Sequence, residues 1–136
     1  MLMLYRKLKE GIYLTFEGGE VAKVIVDEIR KSSVRIRVGA PLSISVLREE
    51  LLQELIANNK PASSITSGME QGYGNIVLTR RMGERIVLTD SIGCNVKIAL
   101  SNFSPVMARL CIEAPSSVFV ARKEGEIRGT QLAEST

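Results

Sequence analysis

The chain has no histidine, only two cysteines and no long apolar run among its 136 residues. Each scarcity excludes something. Without an imidazole there is no Ser–His or Cys–His arrangement, and the commonest general base is missing. Cys94 and Cys111 form no C-x-x-C spacing, so a zinc site would need carboxylates to complete it; the plain reading is two reduced thiols on strands. No stretch approaches the ~18 apolar residues of a membrane span. The opening "MLMLYRKLKE" also puts its charges after its apolar residues, unlike a secretory leader. We therefore expect a cytoplasmic protein, not an enzyme, with no metal, no cofactor and no membrane contact.

What is present describes a folded chain. Hydrophobic residues make up 45% and charged residues 24%, which fits one compact unit or two very small ones. The formal charge of +3 is split as +2 in residues 1–60, +2 in residues 75–136 and −1 from Glu70 between them. A mildly basic balance is compatible with nucleic acid but does not establish it.

Sliding the chain against itself reveals its organisation. Residues 1–50 align with 75–124 at a fixed offset of 74 without a gap, and fifteen of the fifty positions are identical. Leu4, Arg6, Glu10, Ile12, Leu14 and Thr15 fall on Leu78, Arg80, Glu84, Ile86, Leu88 and Thr89. Later, Ala40-Pro41, Ser43, Val46, Arg48 and Glu50 fall on Ala114-Pro115, Ser117, Val120, Arg122 and Glu124. This is an internal duplication.

Each copy reads as five short strands, in the first copy Leu2–Arg6, Ile12–Phe16, Val21–Ile29, Val34–Val38 and Ser43–Leu47. They are rich in Ile, Val and Leu and are separated by turn chemistry such as Gly18-Gly19. The unbroken run Val24-Ile25-Val26 suggests a strand covered on both faces. After Arg48, Leu51, Leu52, Leu55 and Ile56 form one stripe of a short amphipathic helix. Glu49 and Glu50 sit in its first turn, where the helix dipole favours negative charge, and read as charges in solvent. The stretch "PASSITSGMEQGYG" is a linker; Gly72 and Gly74 lack the lysine and the strand–helix context of a phosphate loop. The expected layout is repeat 1 at 1–60, a flexible linker at 61–74 and repeat 2 at 75–136.

A five-stranded unit of about 60 residues buries only about 60% of its unfolded surface and is marginal alone. With neither disulfide nor metal to staple it, the copies are expected to bury their apolar faces against each other as one compact unit.

The segments "MLMLYRKLKEGIYL" and "RIRVGAPLSISVLREELLQ", with "IVLTRRMGERIVL" and "EAPSSVFVARKE" in the second copy, resemble the carbon storage regulator family, CsrA. Its members have the patterns M-L-x-L-T-R-R-x-G-E and A-P-x-x-V-x-V-x-R-E-E. The resemblance implies a mainly β fold: two five-stranded repeats interleaved as a pseudo-dimeric sandwich or barrel, with a short helix after the first. It further implies an RNA-binding post-transcriptional regulator of GGA-containing messenger or small RNAs, without catalysis. The pairing would be made within one chain or by strand exchange between two chains, and a protein antagonist is a further possible partner.

Carried over residue by residue, the resemblance marks Leu4, Arg6 and Lys7 with Leu78, Thr79, Arg80 and Arg81 on the first strands. Ile44, Val46 and Arg48 with Val118, Val120 and Arg122 mark the last strands, and Ala40, Pro41, Ala114 and Pro115 the loops flanking the bases. The two leucines read equally well as core. An edge strand has unpaired N–H and C=O groups that can meet unstacked bases, and arginine adds a planar, permanently charged fork. One composite site would join Leu78–Arg81 to Val46 and Arg48. The other would join Leu4–Lys7 to Val120 and Arg122, where Tyr5 replaces the usual threonine and Lys9 the usual glycine. We therefore expect unequal sites, with the Arg48 site the stronger. The rival reading is a relative deficient in RNA binding that uses its helix stripe to capture a protein.

Overall fold

Alternation decides most of the structure. Along the second strand Ile12 and Leu14 are buried while Tyr13 turns outward, and along the ninth Ala108, Leu110 and Ile112 are buried while Arg109 and Cys111 are not. A period of two with one apolar face is what a sheet packed on one side requires. The computed structural model describes residues 2–51 and 73–122. The first copy contributes β1 (Leu2–Lys7), β2 (Gly11–Thr15), β3 (Val21–Ile29), β4 (Val34–Pro41) and β5 (Ser45–Arg48). The second contributes β6 (Tyr73–Arg80), β7 (Arg85–Thr89), β8 (Asn95–Phe103), β9 (Met107–Glu113) and β10 (Phe119–Ala121).

These strands form two antiparallel sheets, in the orders β1-β9-β8-β7-β5 and β10-β2-β3-β4-β6. The central three strands of each sheet come from one copy and both edge strands from the other. Neither copy therefore has a complete sheet of its own. Side chains from both copies, among them Leu4, Ile12, Phe16, Ile36, Leu88, Ile98 and Leu110, share one buried cluster. The architecture is the sandwich of the two expected forms; the sheets do not close into a barrel.

The duplication is visible in the backbone. Each copy carries a bulge at the same place in its third strand, between Val26 and Glu28 and between Leu100 and Asn102. In the first hairpin turn, Lys9 N–H donates to Val26 O and Gly83 N–H to Leu100 O, both at 2.7 Å. Gly83 has φ +87, the left-handed region that glycine enters freely, but its counterpart Lys9 holds φ 70 with a side chain attached.

Some strand limits differ from the sequence reading. Strand β4 runs on through Ala40 and Pro41, because β6 supplies residues ahead of Ile76, the counterpart of Leu2, that continue the ladder as Ala40↔Gly74 and Pro41↔Tyr73. Ala114 and Pro115 lie beyond β9 in an exposed loop. Strand β5 starts at Ser45 rather than Ser43, after a turn in which Ile44 N–H donates to Pro41 O at 3.0 Å. All four residues of the segment Ile44–Leu47 are buried. Ile25 is only half-buried, so β3 is covered on one face, not two. Residues 49–51 are helical; the remainder of the expected helix, the linker up to residue 72 and residues 123–136 lie outside the described residues. Among the described residues no helix is long and apolar enough to cross a membrane.

Candidate nucleic-acid interface

Strands β5 and β6 each end a sheet, so among the described residues one side of each backbone has no ladder partner. They come from different copies, their side chains Val46 and Leu78 share the core, and an ion pair links them. The Arg80 guanidinium, at the end of β6, donates through Nη1 and Nη2 to Oε1 and Oε2 of Glu50, just past β5, at 3.0 and 3.1 Å. Its Nε donates to Thr79 O at 2.9 Å and its Nη1 also to Arg85 O at 3.2 Å. Two-pronged carboxylate contacts of this kind are both strong and directional. Glu50 is consequently held well below the carboxylate range, at about 2, first by the hydrogen bonds from Arg80 and then by its own backbone N–H.

Both residues stand at the helix start as expected and Glu50 is exposed, but each also holds a basic partner. Glu50 clamps the two sheets' edges together, and Glu49 lies 3.6 Å from both Arg85 and Lys97. The signal was present in the sequence: Arg6/Arg80 and Glu50/Glu124 both recur at the same offset, a basic and an acidic position carried through the duplication together. Nothing in one strand alone reveals that they meet.

Around the clamp, the sequence-marked residues separate by depth. Ile44, Val46 and Leu78 are buried and form the floor, as are Leu4, Val118 and Val120 at the opposite border. Thr79, Arg48 and Arg81 are exposed on the rim. Arg80 itself is buried, its side chain 4% accessible. It organises the border from beneath, whereas Arg48 and Arg81 present their charge to solvent. Arg81 and Glu84 close the following turn, with Arg81 N–H donating to Glu84 Oε1 at 2.7 Å.

Because β5 lies beside β6, the two remaining edges, β1 and β10, share the other border. Arg6 occupies Arg80's place in the first copy. Its Nε donates to Tyr5 O at 2.8 Å, its Nη1 to Gly11 O at 3.3 Å, and its Nη2 lies 3.5 Å from Glu10. The Arg6 side chain is 16% accessible, four times the value for Arg80. Glu10 accepts the Lys7 N–H at 2.8 Å, which is the main cause of its lowered pKa. Lys7 and Arg122 are exposed on this rim, and Arg122 takes part in further contacts. Glu124, the counterpart of Glu50, lies outside the described residues.

The outer faces have diverged as well. On the first copy's sheet, Asp27 sits between Lys9 Nζ at 3.1 Å and Arg37 Nε at 3.3 Å, and both contacts lower its pKa. The equivalent positions on the second copy's sheet are Gly83, Ser101 and Cys111, an uncharged set. A shallow depression of about 400 Å³ lies there, lined in part by Met82, Ala99, Ser101 and Cys111. Among the described residues no three His, Cys, Asp or Glu side chains are grouped to hold a metal. The second cysteine, Cys94, has its thiol pushed up by burial and by Asp90.

Comparison with known proteins agrees with this duplicated geometry. The profile of the CsrA global regulator protein family matches twice, over residues 1–57 and 76–126. A translational regulator CsrA of Desulfotalea psychrophila is 43% identical over 63 residues, spanning 46% of this chain and 76% of that protein. The translational regulators CsrA of Thermosipho melanesiensis and Treponema pallidum are 39% and 33% identical over 62 and 63 residues. Each alignment covers 46% of this chain, and 77% and 81% of the respective relative. No solved structure matches.

Proposed function

The chain belongs to the CsrA global regulator family, and from that premise we propose that it is an RNA-binding regulator of translation that recognises GGA-containing loops in messenger or small RNAs. The observation that carries this reading is the clamped border. An open strand edge from each copy, with Arg48, Thr79 and Arg81 exposed above a floor of Val46 and Leu78, is held in place by the Arg80–Glu50 pair. Splayed bases can hydrogen-bond to the free backbone groups of such an edge, while the guanidinium of Arg48 takes a phosphate or a guanine edge. Named as regulators of translation, the relatives support the same reading.

Function then follows by occlusion. A protein bound over a loop near a start site denies that RNA to the ribosome, and no bond is made or broken. On this reading the two borders are unequal: the Arg48 border keeps the threonine, while the Arg122 border has a tyrosine and an Arg6 more accessible than Arg80.

A gel-shift titration tests the proposal, using a hairpin with GGA in its loop and a control with the loop changed to CCU. Tight, salt-sensitive binding of the first and weak binding of the second is the expected result. Equal affinity for both loops would remove the sequence-reading role, and no complex with either would leave the protein-capture reading in its place.

A further inference from the structure

The border formed by β1 and β10 has a feature that its partner border lacks. Strand β1 turns Met3, Tyr5 and Lys7 outward in a row, with Leu4 buried between them. Tyr5 is 57% accessible and Met3 54%. At the matching positions the second copy carries Val77, Thr79 and Arg81. An aromatic ring has thus replaced a threonine at the rim of a site otherwise built on one plan.

Three observations argue that this ring faces a ligand and is not packing. Its phenol has no hydrogen-bond partner among the described residues, although a tyrosine that serves the fold usually finds one. The ring of Tyr13, by contrast, is covered by Lys23, whose Nζ lies 5.5 Å from the ring centre. Finally, Tyr5 is flanked by cations: Lys7 two residues along the strand, and Arg109 directly opposite in the ladder. Arg109 is already fixed in place, since its Nε donates to Ser101 Oγ at 2.9 Å and that hydroxyl donates to Arg109 O at 3.0 Å.

An exposed aromatic face between a fixed guanidinium and an exposed ammonium, on a sheet edge, suits an unpaired nucleobase with its two flanking phosphates. The geometry points to Tyr5 as a stacking platform for a single-stranded base, with Arg109 and Lys7 taking the adjacent phosphates. This inference rests on the RNA-binding reading. It makes the β1/β10 border a subsite that accepts any unstacked base, beside a sequence-reading border at Arg48. Stacking tolerates every base because each has a π-face, so this border contributes affinity and reach in place of loop identity.

The absence of tryptophan from the chain allows a direct test. Tyr5→Trp places a single indole at the proposed platform, in an Arg48→Ala background that weakens the other border. The probe is a GGA hairpin with unpaired adenosines on both sides. Stacking quenches the indole fluorescence as RNA is added. In the same background Tyr5→Phe binds within about twofold of the parent, and Tyr5→Thr, which installs the residue of the sister border, binds about 5-fold or more weakly. Circular dichroism confirms that each variant is folded. An unchanged indole signal at saturating RNA, or an equal loss from Phe and Thr, overturns the platform. If the wild-type chain binds the hairpin while the Tyr5 series is flat, only this inference falls. If the wild-type chain binds no RNA, the functional reading falls with it.

Discussion

Glu50→Gln isolates the clamp between the two copies. The change keeps the shape of the side chain and removes its charge, leaving Arg80, its side chain 4% accessible, with the more distant carboxylate of Glu84 at 3.9 Å. Stripping one partner from a fully buried ion pair costs about 3–5 kcal/mol, and from an exposed pair about 0–1 kcal/mol. This pair lies between those limits. Glu50 is 54% accessible, so water reaches its side, and Arg80 keeps the carbonyls of Thr79 and Arg85. We expect a loss of about 1–2 kcal/mol, or roughly 4–8 °C in melting temperature for a chain of this size. Urea unfolding followed by far-ultraviolet circular dichroism measures it.

The acid limb supplies a second readout. Folding lowers the pKa of Glu50 from 4.5 to about 2, so its stabilisation is fully present above pH 4.5 and is lost as the pH falls from there towards about 2. Glu50→Gln should be flatter than wild type in that window. Glu49→Gln serves as the control, because its contacts at 3.6 Å are single-pronged and partly solvated. A Glu50→Gln protein within about 0.3 kcal/mol of wild type, with an unchanged acid limb, would refute the clamp as the source of order at this border.

Further expectations follow from the same geometry. Arg48→Ala should cost about 1–3 kcal/mol in affinity for a GGA hairpin, and Arg122→Ala less, as read by gel shift at fixed salt; equal losses would contradict the inequality of the borders. Lys9→Gly should stabilise the fold by up to about 1 kcal/mol by relieving φ 70, offset by less than that from the exposed contact with Asp27, and thermal unfolding checks the sign. Leu110→Ala, in the shared core, should lose about 2–5 kcal/mol and unfold both copies in one transition, since their strands alternate in the same sheets.

Much of this fold was legible because duplication supplied two readings of every strand. Where the alternation was clean, as in β2, the limits agree to within a residue. Where sequence pattern misled, the cause was pairing with the other copy. The burial of Ser45 and Leu47 and the extension of β4 through Pro41 depend on neighbours distant in the chain. The candidate borders were found through the motifs around Leu4, Arg48 and their counterparts. Arg80's depth and its grip on Glu50 escaped notice, because a guanidinium that recognises a ligand and one that ties strands together look the same in a linear string. The same limit applied to Tyr5, whose accessibility only the folded sheet discloses.

The alternation of strands from the two copies also fixes the kinetic order of assembly. A protein whose sheets are completed by a separate subunit loses its sites on dilution; here both contributors travel on one polypeptide, so the melting temperature should not depend on how much protein is in the tube. Cleavage within residues 52–72 would turn a first-order folding event into a second-order one. The cut halves, once denatured, would then recover their borders only at concentrations where they meet.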